Sequence, residues 1–314
     1  MGASTLSSRA IIGEFYKTLE QDDGAAWLNA LSMLFTSDQD SETYNWLGQS
    51  PAMQEWVGGR NAKGFRENGL SITNKHYEAT IEVLVKELRR DKTGQVMARI
   101  RDLAQRTNAH WASLLSTLII NAESTVCYDG QYFFDTDHEE GKSGAQSNDI
   151  TTDISALPAS VHGAAATAPS VEEAQQSIMN SIAQILGFKD DQGEPMNENA
   201  SSFLVMVPMS LYIPFSKAIA LPAGTGVSEQ NIPTEMSISV VPNARLTWTD
   251  KFATFRADGN VKPFIRQQET EVDLKAKAEG SEFEFDNDAH QYGVDSWRNV
   301  GYGYWQHACL NQMV

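Results

Sequence analysis

Apolar and polar residues change rhythm several times along this chain, and each rhythm predicts an element. Between residues 11 and 35, Ile11, Ile12, Phe15 and Leu19, then Trp27, Leu28, Leu31 and Leu34, recur at helical spacing, interrupted at Asp22-Asp23-Gly24. The polar stretch Thr36 to Thr43 follows, so this part reads as an arm with helical pieces and no core of its own. From Trp46 to Val85 the texture changes. Trp56-Val57-Gly58-Gly59-Arg60 is short and glycine-punctuated; beyond the polar tip Asn61 to Gly69, residues Tyr77, Ala79, Ile81 and Val83 alternate with Glu78, Thr80 and Glu82. A period of two is a strand with one buried face. The region predicts a long β-hairpin, and a two-stranded hairpin needs another surface to lie on. That surface belongs either to the same chain or to a neighbouring subunit.

Residues 94–121 carry the strongest periodicity. Val96, Ile100, Leu103, Thr107, Trp111, Leu114 and Leu118 form a stripe flanked by Met97, Ala104, Leu115 and Ile119; Arg99, Asp102, Arg106, His110 and Ser113 fall on the polar side. This predicts an amphipathic helix of about 28 residues, ~40 Å long, with His110 at the surface. Ser124 to Phe134 reads as a strand, 141–170 as an irregular exposed loop rich in Gly, Ala, Ser and Thr. Ser170-Val171-Glu172-Glu173 is a capping box opening a helix to Leu186, with Ala174, Ile178, Ile182 and Ile185 on one side. Phe203 to Ala223 holds a single charge, Lys217, but Pro208, Pro214 and Pro222 divide it into pieces too short to span a bilayer. It reads as a buried strand, Phe203 to Val207, leading into a short helix. Residues 237–314 alternate strand-like runs with turns such as Asp258-Gly259.

Composition sharpens this picture in one respect. Forty-one per cent of the 314 residues are hydrophobic, enough for globular cores, while 24 Lys and Arg against 41 Asp and Glu leave a net charge of −17. Such a chain repels phosphates, which disfavours general nucleic-acid binding yet suits a non-adhesive wall around DNA. The charge is unevenly spread. Residues 86–106 carry seven basic groups (Lys86, Arg89, Arg90, Lys92, Arg99, Arg101, Arg106) against three acidic ones, whereas 269–288 carries eight acids against Lys275 and Lys277. In Glu282-Phe283-Glu284-Phe285-Asp286 the alternation predicts a strand with aromatics on one face and carboxylates on the other. The two segments are either ordinary solvated faces or complementary patches that meet between subunits.

Catalytic patterns fail on specific residues. Gly141-Lys142-Ser143 resembles the end of a phosphate-binding loop, but Thr136 stands where its first glycine belongs; Gly301-Tyr302-Gly303 does not extend to a dinucleotide motif because Gln306 replaces the third glycine. Cys127 and Cys309 give neither a paired CxxC nor a disulfide framework. The cluster Asp135, Asp137, His138, Glu139 and Glu140 is the best metal candidate, though Glu140 and Gln146 break the calcium-loop pattern. A solvated acidic turn is the simpler reading. The N-terminus shows neither a signal peptide nor a myristoylation pattern, so a soluble intracellular protein is expected.

Taken in order, these features resemble the Mu-like phage major head proteins, a branch of the HK97-fold capsid family. The residues carrying the likeness are Thr43-Tyr44-Asn45-Trp46-Leu47-Gly48, Glu55-Trp56-Val57-Gly58-Gly59-Arg60, Asn74-Lys75-His76-Tyr77-Glu78 with Thr80-Ile81-Glu82-Val83, and the distinctive Tyr128-Asp129-Gly130-Gln131-Tyr132-Phe133-Phe134-Asp135-Thr136-Asp137-His138. Pro263-Phe264-Ile265-Arg266-Gln267 and Tyr302-Gly303-Tyr304-Trp305-Gln306 complete the series. The resemblance implies an α+β HK97-like fold: an N-terminal arm (1–50), an E-loop β-hairpin (51–86), a P domain (87–150) with its spine helix at 94–121, an A domain (151–259) and return strands of the P domain (260–314). It implies a non-enzymatic major capsid protein, without cofactor or metal, assembling into pentamers and hexamers of an icosahedral shell around double-stranded DNA. Expected partners are further copies of itself, a separate scaffold or protease, a portal and decoration proteins, with no membrane; expected locations are the virion and, during assembly, the host cytoplasm. The candidate subunit contacts are Trp56, Arg60, Lys63, Phe65 and Arg66 on the hairpin, Arg89 and Arg90 on the basic segment, and Glu282, Glu284 and Asp286 on the acidic one. Two other readings stand beside it: a nanocompartment shell enclosing protein cargo, and a metal-dependent hydrolase using residues 135–140.

Overall fold

The computed structural model describes residues 7–21, 24–45, 69–91, 94–220 and 236–314. The chain begins with two helices, α1 (Ser8–Gln21) and α2 (Trp27–Leu31), followed by strands β1 (Ser32–Thr36) and β2 (Ser41–Tyr44). The helical spacing predicted as far as residue 35 therefore ends at Leu31. Leu34 sits in β1 because that strand is drawn into a parallel pairing with residues 264–268. Strand β3 (Leu70–Thr73) pairs antiparallel with β2, and β4 (Lys75–Leu84) leads into a short helix, α3 (Val85–Arg90).

Next comes α4 (Gln95–Ile120), 26 residues long. Its start is fixed by Gly94, whose φ of 76° is in the left-handed region, and by Asp91. The Asp91 carboxylate accepts from the backbone N–H groups of Gly94, Gln95 and Val96 at 2.8, 3.0 and 2.9 Å, satisfying donors that have no partner within the helix. Beyond α4 the chain forms β5 (Asp149–Thr152), α5 (Val171–Gly187), β6 (Ser202–Val207) and α6 (Tyr212–Ala220), then β7 (Ser237–Pro242), β8 (Lys251–Arg256) and β9 (Phe264–Gln268). It ends with β10 (Asp273–Lys277), α7 (Glu282–Asn287), β11 (Ala289–Tyr302) and β12 (Ala308–Met313).

Two five-stranded sheets organise these elements. In the first, the 14-residue β11 is central: β4 pairs along one edge, while β10 and then β9 follow one another along the opposite edge, with β1 outside β9. The predicted hairpin strand β4 therefore finds its supporting surface in its own chain. The second sheet runs β5-β12-β8-β6-β7, with α5 and α6 packed against it. The capping box at the start of α5 forms as the sequence predicts, Ser170 Oγ accepting from Glu173 N and the Glu173 carboxylate accepting from Ser170 N. Along α5 the predicted positions Ala174, Ile178, Ile182 and Ile185 are all buried, as is the run Phe203 to Val207.

Two hydrophobic cores result, and α4 belongs to both. Val96, Ile100, Leu103 and Ala104 pack with Ile11 and Phe15 of α1, Val83 of β4, Leu274 of β10 and Tyr292 and Val294 of β11. Leu115 and Ile119 belong instead to the larger core, with Ile178 and Ile182 of α5, Phe203 of β6, Phe252 of β8 and Leu310 of β12. The predicted arm is thus docked through α1 on α4 rather than standing clear of the body.

Two other expectations are corrected. Ser124 to Phe134 is a series of turns around a single Val126–Tyr132 bridge, because Gly130 reverses the chain at φ 95° and the aromatic residues enter the core one by one. The 141–170 region is not wholly an exposed loop: β5 lies within it, and Asn148 is fully buried beside it. Gly301 and Gly303, whose spacing the sequence already denied to a dinucleotide motif, are packing devices. A Cβ at Gly301 would overlap the Ile72 side chain, and one at Gly303 would overlap the Lys262 carbonyl oxygen.

We expect Gly303→Ala to lower stability by about 1–3 kcal/mol, since backbone rather than a flexible side chain must yield; chemical denaturation measures it. His307, 4% exposed, is pushed down to about 4 by burial and by the nearby Arg256. Its folded-state value lies below that of the unfolded chain, so the stability it contributes is complete above about pH 6.5 and drains as the pH falls toward 4. Denaturant titrations at pH 7 and pH 5 should differ by about 2 kcal/mol from this group, and His307→Gln should flatten that difference.

Candidate assembly surfaces and the acidic turn

Residues Trp56, Arg60, Lys63, Phe65 and Arg66 lie outside the described residues. The β2–β3 ribbon that borders them is anchored to the body through buried groups. Tyr44 donates its hydroxyl to Gln267 Oε1 at 2.9 Å, and Gln267 Nε2 donates to the Ile72 carbonyl and to Asn74 Oδ1. Burial pushes the Tyr44 hydroxyl up to about 12.

Arg89 and Arg90 are exposed in the last turn of α3. Glu282-Phe283-Glu284-Phe285-Asp286 is not a strand but the short helix α7, its first turn capped by Ser281, whose hydroxyl accepts from Glu284 N. Ser281 followed by Glu284 three residues later is a start signal that overrides the alternation. The helix redistributes the predicted face. Glu284 turns inward, taking hydrogen bonds from His290 Nε2 at 2.9 Å and Gly280 N at 2.7 Å, and these hold its carboxyl below the usual range. Glu282 and Asp286 stay exposed, and with helical spacing they share a face with Phe285, which is 91% exposed. The basic and acidic segments are neighbours within one chain: Val85 N, opening α3, donates to the Asp288 carbonyl at 2.9 Å, and Leu84 pairs with Ala289.

His110 is not the surface residue its position on the polar side of α4 predicts. It is half-buried with its ring 4.4 Å from that of Tyr77, and burial together with Arg298 and Arg245 pushes it down to about 4. Beside it stands a pair of buried cations. Arg298 of β11 and Arg266 of β9 lie over the Trp111 ring at 4.9 and 5.7 Å, and among the described residues no carboxylate forms an ion pair with either. Arg298 donates to the Thr107 carbonyl at 3.3 Å and Arg266 to Asn29 Oδ1 at 2.7 Å, while the Nε atom of each has no hydrogen-bond partner among the described residues. Burial lowers both, Arg298 to about 10. Sequence reasoning missed this pair. The sequence signal was slight: Arg298 occupies a core-facing step in the alternation of β11.

The acidic turn is internal scaffolding. His138 is fully buried, stacked on Trp305 at 4.0 Å and 7°, with Nδ1 2.6 Å from Asp129 Oδ2 and Nε2 3.2 Å from Asn148 Oδ1. Asn148 also accepts from Asp135 N and donates to the Phe133 carbonyl. Asp135 accepts from Tyr132 N and Thr136 N, and Asp137 and Glu139 are exposed. Among the described residues, no group of three or more His, Cys, Asp or Glu is placed to hold a metal ion. Asp137→Ala should therefore change stability by no more than about 0.5 kcal/mol, whereas His138→Ala should cost about 2–4 kcal/mol through the lost stack and the stranded Asp129 carboxylate. Thermal or denaturant melts compare the two, and a stoichiometric metal lost on Asp137→Ala would reverse this assignment.

The sequence profile of the family described as Mu-like prophage major head subunit gpT matches residues 8–158 and 229–313, most of the chain. The chain is 34% identical over 111 residues to the Mu-like prophage FluMu major head subunit of Haemophilus influenzae, and 31% identical over 117 residues to the major capsid protein of Escherichia phage Mu. These matches cover 35% and 37% of this chain and only 36% and 38% of those relatives. Among solved structures, the chain is similar to a subunit of the bacteriophage JBD30 procapsid (TM-score 0.53, 22% identity, 97% of this chain and 74% of that one). It is also similar to a cyanophage P-SCSP1u capsid chain (0.56, 9%, 93% and 89%) and a virus-like particle from Pyrococcus furiosus (0.52, 11%, 97% and 98%). The fold is that of HK97-like capsid proteins, and the chain belongs to the Mu-like prophage major head subunit family.

Proposed function

We propose that this protein is a major shell subunit of a Mu-like phage or prophage head, self-assembling into pentamers and hexamers that enclose double-stranded DNA. The observation that carries the reading is the coincidence of a head-subunit profile over most of the chain with a capsid fold in which α4 spans two cores. The work of such a protein is mechanical. Each subunit must stay stiff while its neighbours pull on the surfaces it presents, and one helix set into both cores resists bending between them. No described helix is long and apolar enough to cross a membrane. The excess of 41 acidic over 24 basic side chains limits adhesion of packaged DNA to the wall. The division into arm (1–50), E-loop (51–86), P domain (87–150 and 260–314) and A domain (151–259) belongs to this proposal, with the hairpin reaching across a neighbouring subunit beyond its base, where β4 pairs with β11 of its own chain. So do the scaffold, portal and decoration partners, and assembly in the host cytoplasm. The likeness to the archaeal virus-like particle is one of fold at 11% identity, whereas the sequence matches run to head subunits, so the nanocompartment reading ranks behind.

Electron microscopy of the purified protein with its assembly partners should show closed particles containing nuclease-protected DNA; particles filled with a defined protein cargo would move the assignment to a nanocompartment. Deleting residues 61–69 should leave a folded subunit, judged by circular dichroism and melting temperature, that forms no closed shells. Particles of normal size from that deletion would remove the hairpin from the assembly mechanism.

A further inference from the structure

Two features at and beside the first sheet are left unmatched among the described residues. One is a projection: Phe285 on α7, 91% exposed, with Glu282 and Asp286 on the same helical face. The other is a cavity of about 190 Å³ between α4 and the β4–β11 pair. Tyr77 and Ala79 of β4, Val294 of β11 and Leu103 of α4 give it apolar walls, and Arg106 and Arg298 give it positive charge. Glu78 and Asp295 also border it, but strand alternation turns their side chains to the opposite face of the sheet. There Asp295 pairs with Lys275 at 3.1 Å and His76 at 3.4 Å, and Trp297 stacks on His76. At the rim Arg106 is exposed and pairs with Asp102 at 2.8 Å, whereas Arg298 is buried, and among the described residues it has no carboxylate partner and its Nε no hydrogen-bond partner.

Size and charge match. A dry cavity of about 150 Å³ accommodates a benzene ring, and an aromatic side chain flanked by two carboxylates is the complement of apolar walls edged by two guanidinium groups. The chain cannot satisfy the match by itself. α7 ends at Asn287, and the cavity borders β11 from Val294 to Arg298, about 20–35 Å further along the strand at ~3.3 Å per residue. Phe285 cannot reach its own cavity.

We infer that Phe285 of one subunit inserts into the Tyr77–Ala79–Leu103–Val294 cavity of a second copy, with Glu282 and Asp286 meeting that copy's Arg106 and Arg298. This rests on the shell reading and names one contact within it. Knob and hole are different surfaces, so the contact is head-to-tail, the kind that generates rings when the rotation closes. Burying the ring removes about 150–250 Å² of aromatic surface from water and supplies the missing counter-charge for Arg298.

The test uses full-length protein under conditions where the wild type forms particles. Phe285→Ala alters only an exposed side chain and should leave the melting temperature unchanged while raising the concentration needed for assembly at least tenfold by sedimentation and light scattering. Ala79→Trp, at an exposed position on the cavity wall, should do the same by filling the hole. Arg106→Glu should impair assembly, and adding Asp286→Arg should restore it in part. As a measurement independent of those variants' folding, Phe285→Cys combined with Ala79→Cys should give covalent oligomers between subunits with a short bis-maleimide; Cys127 and Cys309 are buried. Wild-type assembly thresholds for both Phe285→Ala and Ala79→Trp, or no crosslink in assembled particles, would overturn the contact and leave the shell reading intact. Failure of the wild type to form any particle would remove both.

Discussion

One helix has to satisfy two hydrophobic cores at once, and the rest of the architecture follows from that demand. At 26 residues α4 is ~39 Å long, too long for its apolar stripe to be covered by a single small core. Its first half is buried by α1 and the first sheet, and its second half by the second sheet and α5. An isolated helix is marginal in water, and within a protein most helical stability comes from tertiary packing, so α4 is rigid only because both cores hold it. In turn it fixes the two sheets relative to each other. The docking of α1 reflects the same demand, since Ile11 and Phe15 are fully buried against the part of α4 that the sheet leaves open.

The second link between the sheets is polar. Between α4 and β5 the chain runs through residues 121–148 without a regular strand, yet its backbone is not left unpaired. Asn148, His138 and Asp129 bond one another and the surrounding main chain, Tyr128 donates to Gln306, and Asn197 Nδ2 donates to the carbonyls of Ile185 and Gln306. Buried polar groups are costly unless paired, so this network favours one conformation of an otherwise irregular segment. Trp305 joins the polar and apolar parts, stacked on His138 on one side and packed edge-on by Phe188 at 5.3 Å. The same segment that carried the clearest family likeness is thus the segment whose side chains do the most structural pairing.

Pairing is incomplete at two places among the described residues. The two arginines against Trp111 have lost water and gained no anion from the described residues, and one exposed phenylalanine stands among carboxylates on α7. A protein meant to function alone would seldom keep both. In a subunit that is completed by its neighbours, such features are the natural outcome, because head-to-tail assembly needs two unlike surfaces on every copy.

Much of this was legible from residue order. The period of α4 predicted its ends to within a residue, Ser170 and Glu173 announced the start of α5, and the unbroken apolar run marked β6, because these signals are local and each acts within a few residues. Tertiary structure decided the rest. Leu34 became strand because β9 offered a parallel edge; Ser124–Phe134 became turns because its aromatic residues are anchored separately in the core. Glu282–Asp286 coiled into a helix once Ser281 capped it and His290 drew Glu284 inward. His110 and Arg298 left the surface because β4 and β11 came to lie across α4. Except in α7, whose cap Ser281 is adjacent, the deciding partner sits far away in the sequence, and no local period can encode an interaction whose other half is set only when the chain has folded.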